Sequence, residues 1–314
     1  MNLRNLCNLW INFACYNRVS MTISPAERNM RRMMPLIRLM QSYLPLSWSG
    51  GLNRWSLRHA RLPAGVSRQP VSADGVPCDW LIPDSDPGDR ALLYLHGGGF
   101  VYGQTLPHLQ MGATLAQKLG GRVLMVDYRL APAHPFPAAL DDCVSAYRWL
   151  RRQGFPARRI AIAGDSAGGN LTLTTLMKLR DSGDALPVAG ACLSPVANLS
   201  RPAGSAQPDN DPMLPAKAIE MYSRSYVADN DPRDPLISPV FGDWRGLPPL
   251  LIHAAEDEIL RNDAEQIEKL ARAAGVDVRL EVYPRMWHVW QLTLAMPQAI
   301  QSLDDIAGFL KARL

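Results

Sequence analysis

Short apolar runs alternate with amphipathic segments along most of the chain. Eight runs have the length and residue types of strands, and they lie at 57–62, 78–82, 91–95, 123–126, 160–163, 189–193, 250–254 and 278–283. Apolar positions recur with a helical period at 107–119, 138–152, 167–180, 263–274 and 298–314. Strands that alternate with helices predict an α/β fold, with a mostly parallel sheet covered by helices on both faces.

The N-terminal part predicts one further helix. Ser24, Pro25 and Glu27 have the spacing of an N-cap, N1 and N3, and Pro35 is expected to kink or end the helix. Methionine and arginine alternate here in an amphipathic segment that ends near Trp48. We favour a helix that lies against the main domain, but a methionine-lined lid or a membrane-surface helix stays open.

The interval between the sixth and seventh predicted strands is unusually long. It exceeds fifty residues, whereas a parallel crossover needs only about a dozen. The excess is rich in proline and contains a predicted helix at 216–227. We expect a cap insertion at about 198–235, at the carboxyl end of the sheet, where α/β proteins bind ligands. We expect residues 1–50 to form an N-terminal extension with cap helices, and residues 51–314 to form the main domain, which includes the insertion.

Composition excludes several protein classes. The 314 residues are 47% hydrophobic and 20% charged, which is typical of a globular protein and not of a disordered or coiled-coil one. The net charge of +4 is dispersed, so we expect no nucleic-acid partner. Five widely spaced cysteines indicate a reducing, cytoplasmic compartment, and no cluster suggests a metal. No apolar run approaches the ~20 residues that span a bilayer, so we expect no stable membrane insertion. We expect no secretory signal at the N-terminus, because asparagines interrupt its apolar run, and the alternative that residues 1–20 are an upstream extension stays open.

The strongest local motif is GDSAG at 164–168, between an apolar strand and a helix-forming run. In this context Ser166 is predicted to be a nucleophile on a tight strand-to-helix turn. A side chain at Gly164 or Gly168 would collide where the strand and the helix nearly meet. The alternative is an ordinary N-cap serine.

A second motif, HGGGF at 96–100, follows the third predicted strand. Adjacent glycines leave backbone amides open to a small anion, as an oxyanion hole requires. We expect the amide of Gly98, with that of Gly97 or Gly99, and the amide of Ala167 after the nucleophile. A phosphate loop is the alternative, but the lysine and serine or threonine that accompany such a loop are missing.

A serine nucleophile needs a base, and chain order selects it. On this fold the acid and then the histidine follow the serine, so His253 and His288 are the candidates. His253 lies inside an apolar strand, which leaves His288, on the loop after the eighth strand.

The acid is expected just past the seventh strand. Glu256, Asp257, Glu258 and Asp263 compete there. Asp263 is explained by its place in the first turn of the next helix, where a carboxylate complements the helix dipole. We select Asp257, although spacing alone does not exclude Glu256.

These motifs resemble the hormone-sensitive lipase family of α/β-hydrolases, which includes bacterial acetyl esterases and short-chain carboxylesterases. The resemblance covers about residues 75–314, and its markers include DYRLAP at 127–132 and FPAALDD at 136–142. It implies an eight-stranded sheet, a helical cap and a triad of Ser166, Asp257 and His288. The usual Asp-Pro-Leu reads Asp257, Glu258, Ile259 here, which leaves the register of the acid open.

The expected activity is that of a serine carboxylesterase, which cleaves short- to medium-chain esters through an acyl-serine and needs no cofactor. Its partner would be a small-molecule ester, and a homodimer stays open. Phe100, Met34, Trp48 and Trp287 are predicted to contact the substrate. The rival hypothesis is a non-catalytic binding protein on a hydrolase fold, and an acyltransferase, an amidase or a lyase also remains open.

Overall fold

The computed structural model describes residues 23–43, 57, 61–201 and 211–314, in which eight strands form one sheet. The strands are β1 (Val66–Ala73), β2 (Val76–Pro83), β3 (Ala91–Leu95), β4 (Arg122–Val126), β5 (Ile160–Asp165), β6 (Gly190–Leu193), β7 (Leu250–Ala255) and β8 (Val278–Tyr283). Their order is β1-β2-β4-β3-β5-β6-β7-β8. β2 pairs antiparallel with β1 and β4, and all other pairs are parallel.

The first strand lies later than the sequence analysis predicts. Residues 61–63 are not in a strand, and β1 begins at Val66. An Asp74-Gly75 turn joins β1 to β2, and both of its residues have left-handed φ angles of 56° and 92°. Because β1 lies at the edge of the sheet and is mostly exposed or half-buried, it has no apolar run. The Asp-Gly pair, which is typical of a hairpin turn, is a signal that the sequence analysis did not use.

Seven α-helices accompany the sheet in the described part of the chain. They are α1 (Pro25–Tyr43), α2 (Leu106–Leu119), α3 (Ala138–Arg152), α4 (Ala167–Asp181), α5 (Ala216–Val227), α6 (Arg261–Ala273) and α7 (Pro297–Lys311). Side chains of α3, α4 and α6 pack on one face of the sheet, and those of α2 and α7 pack on the other. Within β3, Leu93 and Leu95 face the first layer, whereas Leu92 and Tyr94 face the second. The prediction of a mostly parallel sheet covered on both faces is confirmed.

Helix α1 packs against the main domain. Its start agrees with the predicted cap, because the Glu27 amide donates to Ser24 Oγ at 3.1 Å. The helix does not end at Pro35 but continues to Tyr43. Met34 on its inner face is buried against Trp287 and other residues of the main domain, and this packing favours the helical conformation beyond the proline.

The long connection between β6 and β7 contains α5, whose bounds agree with the prediction, and α5 contacts α1. The connection leaves the sheet at the carboxyl end of β6, so both helices lie on that side of the sheet. Among the described helices, none combines the length and the apolar character that crossing a membrane requires.

Candidate active site

Ser166 lies on a strained turn between β5 and α4. Its φ and ψ angles are 54° and −116°, a combination that few residues other than glycine adopt. A Cβ at Gly164 would lie 2.3 Å from the Gly168 carbonyl oxygen, and one at Gly168 would lie 1.9 Å from that of Leu95. The two glycines are therefore required by close packing of backbones. The turn lifts the Ser166 hydroxyl into the cavity at the carboxyl edge of the sheet.

The glycine loop after β3 borders the same cavity. Gly98, Gly99 and Ala167 line it. The Gly97 amide, however, donates to Asp165 Oδ1 at 3.0 Å and is not available to a substrate. The expectation for Gly97 is therefore corrected, and the candidate oxyanion donors are the amides of Gly98, Gly99 and Ala167.

Asp165 is a buried carboxylate that the sequence analysis missed. Besides the Gly97 amide, it accepts a hydrogen bond from the Tyr94 hydroxyl at 2.8 Å, and its Oδ2 lies 3.3 Å from His108 Nε2. The Thr105 amide donates to His108 Nδ1, so the ring proton is on Nε2 and is donated to Asp165. Although burial opposes ionisation, His108 and Tyr94 lower the pKa of Asp165 below its ordinary value. The charged side chain thus fixes the glycine loop.

The structure brings Ser166 and His288 together. His288 Nε2 lies 2.9 Å from Ser166 Oγ, and its Nδ1 lies 3.2 Å from Glu258 Oε2. Because a carboxylate only accepts hydrogen bonds, Nδ1 carries the proton, and Nε2 is free to accept the serine proton. Glu258 is only 7% exposed, and its other oxygen accepts the Ala255 amide.

Asp257, which the sequence analysis selected, is not the partner of His288. Its side chain is half-buried. Its backbone amide donates a hydrogen bond to the Met286 carbonyl, on the loop that carries His288. The turn after β7 directs Glu258, one residue later, toward His288. The selection of Asp257 is therefore corrected by one position.

The other two candidate acids have structural roles. Glu256 is exposed, and its carboxylate accepts the Arg285 amide at 2.8 Å. Asp263 is fully buried, pairs with Arg201 and accepts the Ala197 amide at 2.7 Å. Each stabilises a loop beside the cavity, and the hydrogen bonds of neither reach His288.

The protonation of His288 depends on its acidic neighbours. Burial disfavours the imidazolium, but the hydrogen bond and charge of Glu258, with the charges of Asp211 and Asp165, outweigh it. Together they raise the pKa of His288 above its ordinary value. The imidazolium that forms when His288 takes a proton is thus stabilised electrostatically.

A cavity of about 280 Å³ opens above Ser166, and most of its lining is apolar. Its walls come largely from the β6–β7 connection and the loops around it. Besides Ala167, the aliphatic and methionine residues of the lining are Val196, Leu199, Met213, Leu214, Ile219, Leu260, Val289 and Leu292. Leu199, Met213, Leu214 and Ile219 belong to the predicted insertion, whose expected place over the site could indicate them, and no sequence signal marks the other four.

The predicted substrate contacts divide into three groups. Phe100 lines the cavity and also stacks on Tyr226, with ring centroids 3.8 Å apart. Met34 and Trp287 do not line it, because they pack with each other in a separate buried cluster under α1. That expectation is corrected for both. Trp48 lies outside the described residues.

Helix α5 and the glycine loop are in direct contact. A Cβ at Gly99 would lie 2.4 Å from Cδ2 of Tyr222, a residue of α5 that also lines the cavity. Residue 99 therefore has to be glycine for the insertion to close on the loop.

Asp211 joins the insertion to the turn that carries Glu258, and no sequence signal identified it. Its Oδ1 accepts the amides of Met213 and Leu214, and its Oδ2 accepts the Ile259 amide at 3.2 Å. Burial raises the pKa of this carboxyl above its usual range, partly offset by His288 and these amides.

Comparison with known proteins identifies the family. A family model described as alpha/beta hydrolase fold matches residues 92–292. An acetyl-hydrolase of Streptomyces hygroscopicus is 39% identical over 236 residues, which are 74% of this chain and 79% of that protein. The esterase LipU of Mycobacterium tuberculosis is 35% identical over 287 residues, 86% of this chain and 95% of that protein.

Solved structures support the same assignment. The crystal structure of an esterase from the bacterial hormone-sensitive lipase family superposes with a TM-score of 0.83 at 36% identity, covering 93% of this chain and 99% of that one. The sequence motifs, the eight-stranded sheet and these relatives lead to one conclusion: the chain belongs to the α/β-hydrolases, in the hormone-sensitive lipase-like group of esterases.

Proposed function

We propose that this carboxylic ester hydrolase cleaves short- to medium-chain esters with Ser166 as nucleophile, His288 as general base and Glu258 as the acid of the triad. The observation that carries the proposal is the continuous chain of hydrogen bonds from Glu258 through His288 to Ser166, at 3.2 and 2.9 Å. This is the arrangement that activates a serine hydroxyl at neutral pH.

The proposed reaction follows from the positions of these groups. Ser166 Oγ attacks the ester carbonyl as His288 Nε2 takes its proton, and Glu258 stabilises the imidazolium. The amides of Gly98, Gly99 and Ala167 receive the negative charge that develops on the carbonyl oxygen. His288 then protonates the leaving alcohol, and a water molecule activated by the same residue hydrolyses the acyl-serine.

The size and lining of the cavity support the chain-length preference. A space of about 280 Å³ with aliphatic walls accommodates a small apolar acyl group, and Ile219 and Tyr222 of α5 lie over it. Activity against nitrophenyl esters from acetyl to palmitoyl should therefore peak at eight carbons or fewer. A maximum at ten carbons or more would contradict this preference.

The nucleophile is tested by Ser166→Ala. We expect turnover of a nitrophenyl butyrate to fall by about 10³-fold or more, because the remaining groups act as a unit with the serine. A fluorophosphonate should label the unmodified protein on the peptide that contains Ser166 and leave the variant unlabelled. Thr175→Ser, a change at a buried hydroxyl in the middle of α4, is the control and should retain activity. A Ser166→Ala variant with a tenth of the original activity would exclude the mechanism.

We also propose a cytoplasmic location. It is supported by the free thiols of Cys78, Cys143 and Cys192, which are buried in the described part of the chain. Burial raises the pKa of Cys78 to about 12, so this thiol stays protonated at neutral pH. Thiol titration of the protein isolated from its native cells under acidic quench should find all three reduced, whereas their oxidation would contradict the proposal.

A further inference from the structure

The backbone directly after His288 is in an unfavourable conformation. Val289 has φ and ψ angles of 49° and 48°, in the left-handed region that β-branched residues rarely adopt. The residue is 4% exposed, so solvent cannot readily satisfy its amide. A contact with the surrounding structure must therefore stabilise the left-handed conformation of Val289, and the same contact then fixes the orientation of the His288 side chain.

The group that holds it is Ser194. Its side chain is fully buried, and its Oγ accepts the Val289 amide at 3.2 Å across 95 residues of sequence. Ser194 follows β6 directly and is itself left-handed, with a φ angle of 47°. Its own amide donates to the His253 carbonyl on β7 at 2.7 Å.

Ser194 is also fixed relative to the nucleophile. The neighbouring Leu193 carbonyl accepts the Ser166 amide at 2.8 Å. One short segment, Leu193 and Ser194, therefore contacts the backbone of Ser166 on one side and the backbone after His288 on the other. No motif in the sequence marks this serine, and its hydroxyl takes no part in the hydrogen-bonded chain from Glu258 to Ser166.

We propose that Ser194 is a positioning residue that fixes His288 against Ser166 by accepting the Val289 amide. This inference rests on the proposed role of His288 as general base. Without the hydroxyl, the Val289 amide lacks its acceptor, and the residue can relax toward the extended conformations that valine prefers. The imidazole would then move away from Ser166 Oγ, and a displacement of about 1 Å can lower a catalytic rate about 10²-fold.

The first test is Ser194→Gly. Glycine suits the left-handed φ angle at this position, so the variant keeps the backbone of residue 194 and loses only the acceptor. We expect its melting temperature to fall by a few degrees at most, because glycine relieves the left-handed strain at position 194 and partly offsets the lost hydrogen bond. The kcat for a nitrophenyl butyrate should fall about 10- to 100-fold, with KM changed less than about threefold. Ser194→Ala, which also lacks the hydroxyl, should show the same fall in kcat.

The matched control is Ser302→Ala. Ser302 is equally buried, and its hydroxyl contacts His253 and Gln291 and not the backbone after His288. This variant loses a buried hydroxyl of the same kind and should keep kcat within about threefold. If Ser302→Ala lowered kcat as much as Ser194→Gly, a general effect of buried hydroxyls would explain both, and the proposal would be wrong.

A double-mutant cycle with Val289→Gly tests the route of the effect. Glycine at position 289 adopts the left-handed conformation without a supporting hydrogen bond. Ser194→Gly should therefore lower kcat about tenfold or more when valine is present, and less than about threefold in the Val289→Gly background. Equal effects in both backgrounds would overturn the proposal, since Ser194 would then act independently of Val289.

Failure of this inference can be distinguished from failure of the proposed function. Fluorophosphonate labelling of Ser166 and ester turnover by the unmodified protein test the function alone. If both are present and Ser194→Gly retains full kcat, then only the role of Ser194 is wrong.

Discussion

At the scale of single residues, the site depends on which of three consecutive acids is turned inward. Glu256, Asp257 and Glu258 follow β7, and only Glu258 is buried. The other two contact the histidine loop from outside, one through its carboxylate and one through its amide. Burial beside His288, and not residue type, therefore distinguishes the proposed triad acid from its neighbours.

We predict that Glu258→Gln lowers kcat by about 10²- to 10⁴-fold, because an amide can no longer stabilise the imidazolium or enforce the correct tautomer. Asp257→Asn is the matched control, since it removes a neighbouring charge of the same sign. It should keep kcat within about threefold. Steady-state kinetics on a nitrophenyl butyrate compare the two variants. A larger loss of kcat in Asp257→Asn would mean that Asp257 is the acid of the triad.

The dependence of activity on pH follows from the raised pKa of His288. Since the base must be neutral, kcat/KM should fall on acidification with a midpoint above about 6.5, the ordinary histidine value. Glu258 contacts His288 directly, and the charges of Asp211 and Asp165 also raise its pKa. In Glu258→Gln, the midpoint at which the residual kcat/KM falls on acidification should therefore move to a lower pH. An unchanged midpoint in this variant would show that Glu258 does not control the protonation of His288.

The nucleophile and the base could be predicted from the sequence, whereas the acid could not be placed to the residue. Ser166 lies in a motif with strict steric requirements, and chain order left few histidines to follow it. A turn after a strand imposes no comparable pattern on its side chains. Their directions depend on contacts with a loop about thirty residues away, such as the bond from the Asp257 amide to Met286.

At the scale of elements, the insertion is attached to the sheet through Asp211. Asp211→Asn would keep an acceptor for the Met213 and Leu214 amides but would turn an amide group toward the Ile259 amide, which is also a donor. We predict that KM for a butyrate ester rises several-fold and that kcat changes less, because Met213 and Leu214 form part of the cavity wall. Asp243→Asn, on an exposed turn, is the control and should leave KM unaltered. An unaltered KM in Asp211→Asn would mean that other contacts hold the segment, and the prediction would be wrong.

Elements with an apolar face could be predicted, and elements without one could not. The bounds of α3 and α5 agree with the sequence patterns, because one side of each helix is buried. β1 has no continuous apolar run and is placed by its pairing with β2. The cavity lining was also missed, since Met213 and Leu214 lie in a proline-rich connection whose path no periodicity describes.

At the scale of the whole molecule, α1 and the histidine loop share one buried cluster. Met34 packs there with Trp287, the residue before His288, and with Trp290. Removing most of the Met34 side chain would leave a cavity behind the loop. Met34→Ala should therefore lower the free energy of unfolding by about 2–5 kcal/mol.

The neighbouring Met33 provides the control for this prediction. It is 55% exposed, whereas Met34 is 2% exposed. Met33→Ala should change the free energy of unfolding by less than about 0.5 kcal/mol. Urea denaturation followed by tryptophan fluorescence measures both variants. Similar values for the two would mean that α1 does not support the main domain.

The contact between Gly99 and Tyr222 limits how this protein can diversify. A substitution in the glycine loop would push α5 outward, and a bulkier residue in place of Tyr222 would press on the amides that are proposed to bind the oxyanion. New substrate ranges are therefore reached more readily through Ile219 of α5, which lines the cavity, than through the glycine loop. Libraries that also randomise position 99 would lose most of their active members, because only glycine leaves room for the Tyr222 ring.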